Sequence, residues 1–124
     1  MSVIQPNETI TIALSVKDRH ASAAWYKDMF GFETLYHADD AGWSEIATNS
    51  PGVTIGFGEQ DTPNPGNAVP VFGVSDFHEA KAKLSAAGVH FDGDVVEMEG
   101  MVRTETLYDP DGNALMIAED LTKG

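Results

Sequence analysis

Residues 15–33, SVKDRHASAAWYKDMFGFE, decide the fold. Asp18 carries the short acceptor side chain of a helix N-cap, and Gly31 suits the left-handed residue that ends a helix. Between them Ala21, Trp25 and Met29 recur every four residues beside Tyr26 and Phe30. That is the broad apolar stripe of a helix lying on a sheet, and it predicts a helix from Asp18 to Phe30. Upstream, Glu8 to Ser15 (ETITIALS) alternates, with Ile10, Ile12 and Leu14 on one face and Thr9, Thr11, Ala13 and Ser15 on the other, as in a half-buried strand. Downstream, Phe32 to Ala38, Trp43 to Thr48 and Val53 to Gly58 read as short strands separated by the turn formers Asp39–Gly42 and Asn49–Gly52. The order is β-α-β-β-β.

The pattern then starts again. Residues 61–67, DTPNPGN, are rich in turn formers and make a connector. Val69 to Val74 is a strand, and Asp76 with Glu79 matches a capping box opening a helix from Asp76 to Ala87, closed by Gly88. Strands from Val89 to Phe91, Val102 to Tyr108 and Ala114 to Glu119 complete the second unit. Val16 aligns with Val74, Asp18 with Asp76, Gly31 with Gly88 and Phe32 with Val89, a period of 57 to 58 residues. The expected fold class is α+β: two tandem βαβββ modules forming a curved mixed sheet around a cleft, helices on the convex face. One domain, 1–124, divides into module 1 at about 8–59, a linker at 60–67 and module 2 at about 68–120.

Composition limits the partners. Seven Lys+Arg against 20 Asp+Glu give a net charge of −13, which argues against nucleic acid and anionic membranes. No apolar run approaches the roughly 20 residues that span a bilayer, and the N-terminus lacks a signal-peptide pattern, so a cytoplasmic location is expected. With no cysteine there is neither a thiolate nucleophile nor a thiolate metal site.

Three segments, SVKDRHASAAWYKDMFGFE, SDFHEAKAKLSAAGVHFDG and LYDPDGNALMIAE, resemble in this order the vicinal oxygen chelate superfamily of glyoxalases, bleomycin-resistance proteins and extradiol dioxygenases. The resemblance implies a metal bound by one residue from each of four strands. Carried over, those positions are Thr11, Gly56, Val69 and Met116, a set without the imidazole and carboxylate donors that nickel, zinc, iron or manganese require. No metal ligand and no cofactor are therefore expected. The resemblance also implies a homodimer.

Strand alternation outlines a site independently. The bulky sets Ile10/Ile12/Leu14, Val53/Ile55/Phe57 and Leu115/Ile117 suit packing beneath helices. The opposite faces, with Thr11, Ala13, Gly56, Val69 and Met116, leave room for a small molecule. If Ile46 faces the helices, Trp43 and Glu45 face the cleft, where they stack on a ligand and accept its hydrogen bonds. Alternatively Glu45 is a solvated strand residue and Trp43 a plug. Glu45 is also the one weak catalytic candidate, a general base if burial raises its pKa. Arg103 either binds an anionic ligand group or forms a surface ion pair. Met98 and Met101, read as a loop before the seventh strand, make either a pliable lid or hydrophobic filler. Glu105 and Glu119 are lesser cleft carboxylates. His20, His37, His78 and His90 look dispersed, with His37 the first to examine.

The leading expectation is a metal-independent protein of the glyoxalase and bleomycin-resistance kind that binds a small, partly apolar ligand, uncharged or cationic. The alternative is a lyase, isomerase or dioxygenase, either metal-dependent through other ligands or metal-free through a cleft carboxylate.

Overall fold

The computed structural model describes residues 2–122. Its elements run β1 (Ile10–Val16), α1 (Arg19–Phe30), β2 (Glu33–Ala38), a 3-10 turn (Asp39–Ala41), β3 (Trp43–Ala47), β4 (Val53–Glu59), β5 (Val71–Gly73), α2 (Phe77–Ala86), β6 (Phe91–Met98), β7 (Val102–Tyr108) and β8 (Ala114–Asp120). The chain divides into two compact units, 1–64 and 65–124. Each holds its own four-stranded mixed sheet, in the orders β1-β4-β3-β2 and β5-β8-β7-β6. In both, the first strand runs parallel to the last, and the remaining pairs are antiparallel. No helix among the described residues is long and apolar enough to cross a membrane.

The helices begin and end for the reasons their sequence gives. The Asp18 carboxylate accepts the His20 and Ala21 N–H groups, and Gly31, at φ 76°, closes α1 with its N–H on Lys27 O. Asp76 likewise accepts the Glu79 N–H, but the Glu79 carboxylate pairs with Lys83 one turn on, at 3.0 Å. Gly88, at φ 90°, ends the second helix turn.

In the first unit α1 covers the sheet face bearing Leu14, Val16, Ile46, Ile55 and Phe57, all buried, and Tyr26 packs its ring 5.2 Å from that of Phe57. In the second, Phe77 and Leu84 of α2 are buried together with Leu107, Leu115 and Ile117. Each such side chain contributes about 1.5–3 kcal/mol relative to leaving it in water.

An arginine and a glutamate at or next to the end of the unit's last strand close each unit where its helix starts. Arg19, only 5% exposed, donates to Glu59 (2.8 Å), Asp39 (3.1 Å), Ser44 Oγ (2.9 Å) and the Trp43 carbonyl (3.1 Å). In the second unit Glu119 accepts the Phe77 N–H at 2.7 Å, and the arginine comes from a strand: Arg103 lies 2.7 Å from Glu97 and 3.7 Å from Glu119.

Three expectations change. The strand expected at Val89 to Phe91 is β6, eight residues long and mostly exposed; its acidic, glycine-containing sequence FDGDVVEM hides the alternation. Consequently Met98 is a strand residue paired with Val102, and Met101 belongs to a tight hairpin turn, its N–H on Met98 O at 2.8 Å, not to a pliable lid. The fifth strand is shorter than expected, so Val69 precedes it.

Candidate functional site

Period-two geometry puts alternate residues of a strand on opposite faces. On β3, Ser44 and Ile46 are fully buried under α1, so Trp43, Glu45 and Ala47 lie on the open face. Register extends that face across the first sheet: Ala13 of β1 stands opposite Gly56 of β4, Gly56 opposite Glu45, and Glu45 opposite Tyr36 of β2. Thr11 opposite Thr54 forms the next row.

These residues make one hydrogen-bonded group. Glu45 Oε1 accepts from Trp43 Nε1 at 3.1 Å and from Tyr36 Oη at 3.0 Å, while Oε2 accepts from Thr54 Oγ1 at 2.9 Å. Thr54 Oγ1 is in turn 2.8 Å from Thr11 Oγ1. The Trp43 indole lies over Gly56. A Cβ built at that position would overlap ring atoms Cζ2, Cη2 and Cε2, the last at 2.8 Å. Only glycine leaves this seat open, so the small side chains of the open face receive first the protein's own tryptophan.

Burial pushes the Glu45 carboxyl up, but the hydrogen bonds from Trp43, Thr54 and Tyr36 outweigh it and hold the group below the ordinary glutamate range. Tyr36 is shifted up, first by its bond to Glu45 and then by burial. The expectation that burial raises the Glu45 pKa is thus reversed: the carboxylate stays ionised and is a weaker base than a free one.

The remaining sequence candidates fall elsewhere. Met116 stands opposite Val71 and Thr106 on the open face of the second sheet, and Met98, half exposed, shares that face beside Val102. Val69 is partly exposed ahead of β5. Of the two readings of Arg103, the structure shows the ion pair. It alternates with Thr104 and shares the helix-side face with buried Glu105 and Leu107, so the same frame that opens Met116 outward turns Arg103 away from it, between Glu97 and Glu119. Glu105 is buried on that side with Lys81 Nζ at 2.6 Å, and Glu119 caps α2; neither carboxylate is on an open face.

One residue and one pairing escaped the sequence reading. Tyr36 reaches Glu45 because Leu35 is an extra residue, a β-bulge between Thr34 and Tyr36. Counting back from the turn, with Ala38 opposite Trp43, would have found it. The histidines, read as dispersed, include a stacked pair: His20 and His37 lie 3.8 Å apart, His20 Nε2 3.1 Å from Asp39 and His37 Nδ1 2.6 Å from Ser44 Oγ.

The metal implied by the resemblance does not fit these positions. Thr11 is bonded to Thr54, Gly56 has no side chain and lies under the indole, Val69 is aliphatic and Met116 offers only a thioether. Among the described residues no three His, Cys, Asp or Glu side chains gather so as to hold an ion.

The profile of the Glyoxalase/Bleomycin resistance protein/Dioxygenase superfamily matches residues 10–117. No curated protein sequence matches the chain. Among solved structures, a putative glyoxalase family protein from Bacillus anthracis is similar at 21% identity and TM-score 0.74, over 97% of this chain and 98% of that one. The fosfomycin resistance protein FosX from Listeria monocytogenes, solved with Mn(II) and sulfate, is similar at 20% identity and TM-score 0.74, over 97% and 92%. A superfamily member from Sphaerobacter thermophilus gives 20% and 0.74, over 90% and 96%.

Proposed function

Because the chain belongs to the Glyoxalase/Bleomycin resistance protein/Dioxygenase superfamily, we propose that it uses this scaffold as a metal-independent binding protein for a small, partly apolar molecule. The ligand lies on the open face of the first sheet, over Trp43, Glu45, Thr11 and Ala13. One observation carries the reading: the indole is seated on Gly56 and tethered through Nε1 to Glu45, so an aromatic surface is held in place before any ligand arrives. Preorganisation of this kind lowers the ordering cost of binding.

Binding is favoured over proton transfer because Glu45 is held ionised by three donors, the opposite of the tuning a general base at neutral pH needs. Val69, Met98, Met101 and Met116 remain ligand-contact candidates on the second unit, and Arg103 is withdrawn from the set.

Trp43 reports on the site directly. With Trp25 replaced by Phe, one tryptophan remains, and small aromatic ligands should change its fluorescence saturably, in the presence of EDTA. Trp43→Ala should weaken binding, measured calorimetrically, by about 1–3 kcal/mol, the scale of a buried and paired ring. Affinity unchanged by Trp43→Ala, or binding abolished by EDTA and restored by a divalent ion, would overturn the reading.

A further inference from the structure

The hydroxyl protons on the open face of the first sheet can be assigned. Thr54 has one, and it goes to Glu45 Oε2. The Thr11–Thr54 bond must therefore have Thr11 as donor, giving a chain from Thr11 through Thr54 to Glu45. Tyr36 and Trp43 also give their only polar protons to Glu45. Ser15, at the edge of the same face, donates to Gln60 Oε1 and accepts the Asn64 N–H.

Every side-chain donor in this group is turned inward. What remains toward a ligand is acceptor capacity: a lone pair on Thr11 Oγ1 and the fourth acceptor site of a carboxylate that uses three, which lies on Oε2; Tyr36 Oη is faced by the Trp43 N–H. The charge is also uncompensated. The three partners of Glu45 are neutral, and among the described residues no cationic side chain pairs with it. Two aromatic side chains converge on the same oxygen, Oε1, each through its polar hydrogen.

From this arrangement we infer that the ligand is a protonated amine, an ammonium group bearing N–H donors on an apolar or aromatic body; the inference rests on the binding reading given above. The ammonium donates to Glu45 Oε2 and the Thr11 oxygen while its apolar part lies on the indole. A carboxylate or phosphate finds neither a donor nor a cation there. A quaternary ammonium keeps the charge attraction but has no N–H to give.

The test compares near-isosteric probes: benzylamine, benzyltrimethylammonium, benzyl alcohol and benzoate, titrated calorimetrically at neutral pH. Benzylamine should bind at least about tenfold more tightly than benzyl alcohol, the scale of one charge-assisted hydrogen bond. Benzyltrimethylammonium should fall between them, benzoate should be weakest, and added salt should erode the amine's advantage. Glu45→Gln should remove most of the discrimination between amine and alcohol. Should that variant not fold, the wild-type ranking and its salt dependence decide the matter alone. Equal binding of amine and alcohol, or tighter binding of benzoate, overturns the ammonium inference while the binding reading stands. No detectable binding of any probe at millimolar concentration overturns both.

Discussion

Replacing Gly56 by alanine asks whether the indole seat is what the glycine is for. The added Cβ would overlap three atoms of the Trp43 ring, the farthest at 2.8 Å. A fused ring cannot bend aside as the end of a lysine does, and the strands beneath are fixed in register, Glu45 opposite Gly56. The ring must leave its seat. Overpacking costs about 1–3 kcal/mol, and losing the partly exposed Nε1–Glu45 bond costs about 1 kcal/mol more. Alanine returns about 0.5–1 kcal/mol of backbone entropy in the strand. The balance is a destabilisation of about 2 kcal/mol. With an unfolding entropy of about 2.1 cal/mol/K per residue over 124 residues, that lowers Tm by about 8 °C. Thermal unfolding followed by far-ultraviolet circular dichroism measures the drop, and the near-ultraviolet spectrum follows the displaced indole. In a Trp43→Ala background the same Gly56→Ala change should be neutral or slightly stabilising, so a double-mutant cycle should return a coupling of about 2–3 kcal/mol. A Tm loss below about 2 °C in the native background, or an equal loss with and without the indole, would refute the reasoning.

Arg19→Met should lower the urea midpoint by an amount corresponding to about 1–3 kcal/mol, because it takes a donor from both the Trp43 carbonyl and fully buried Ser44, which keeps only His37, whereas Asp39 and Glu59 are exposed enough to be rehydrated; an unchanged midpoint would count against the clamp. Glu45 has a depressed folded pKa, so its stabilisation is present above the ordinary carboxylate range and lost as pH falls through the folded value. Glu45→Gln should therefore be least stable relative to wild type at neutral pH, with the gap closing on acidification; a gap that widens in acid contradicts the three-donor arrangement. Sedimentation at micromolar concentration should give twice the 13.3 kDa chain mass, the dimer expected of a small member of this superfamily, and a lone monomer would remove that expectation.

What could be read from sequence was local. Asp18 and Gly31 mark a helix because their effects act within one turn, and the open face of β1, β3 and β4 followed from alternation alone. The missed features depend on contacts distant in sequence. Nothing near Gly56 says that a ring 13 positions earlier will lie on it; that needs the β3–β4 register. Tyr36 was obscured by the bulge at Leu35, which changes the phase of β2 midway. Arg103 was left between two roles because apolar residues do not mark either face of VRTETLY clearly until buried Glu105 and Leu107 are seen to share one. His20 and His37 meet only once α1 is docked against β2.

The two closing arginines give the duplicated modules separate identities. In the first unit the cation enters from the opening residue of the helix and meets the glutamate that ends the fourth strand; in the second the helix offers only a backbone N–H, and the cation comes across the sheet from β7. Grafting the start of α1 onto α2 would set an arginine at position 77 near Arg103, both competing for Glu119, while the reverse graft would leave Glu59 without its cation. The repeats have therefore ceased to be exchangeable parts: each half carries an electrostatic key cut for its own lock, and a chain assembled from two copies of either half would need its charges rewritten as well as its apolar surfaces.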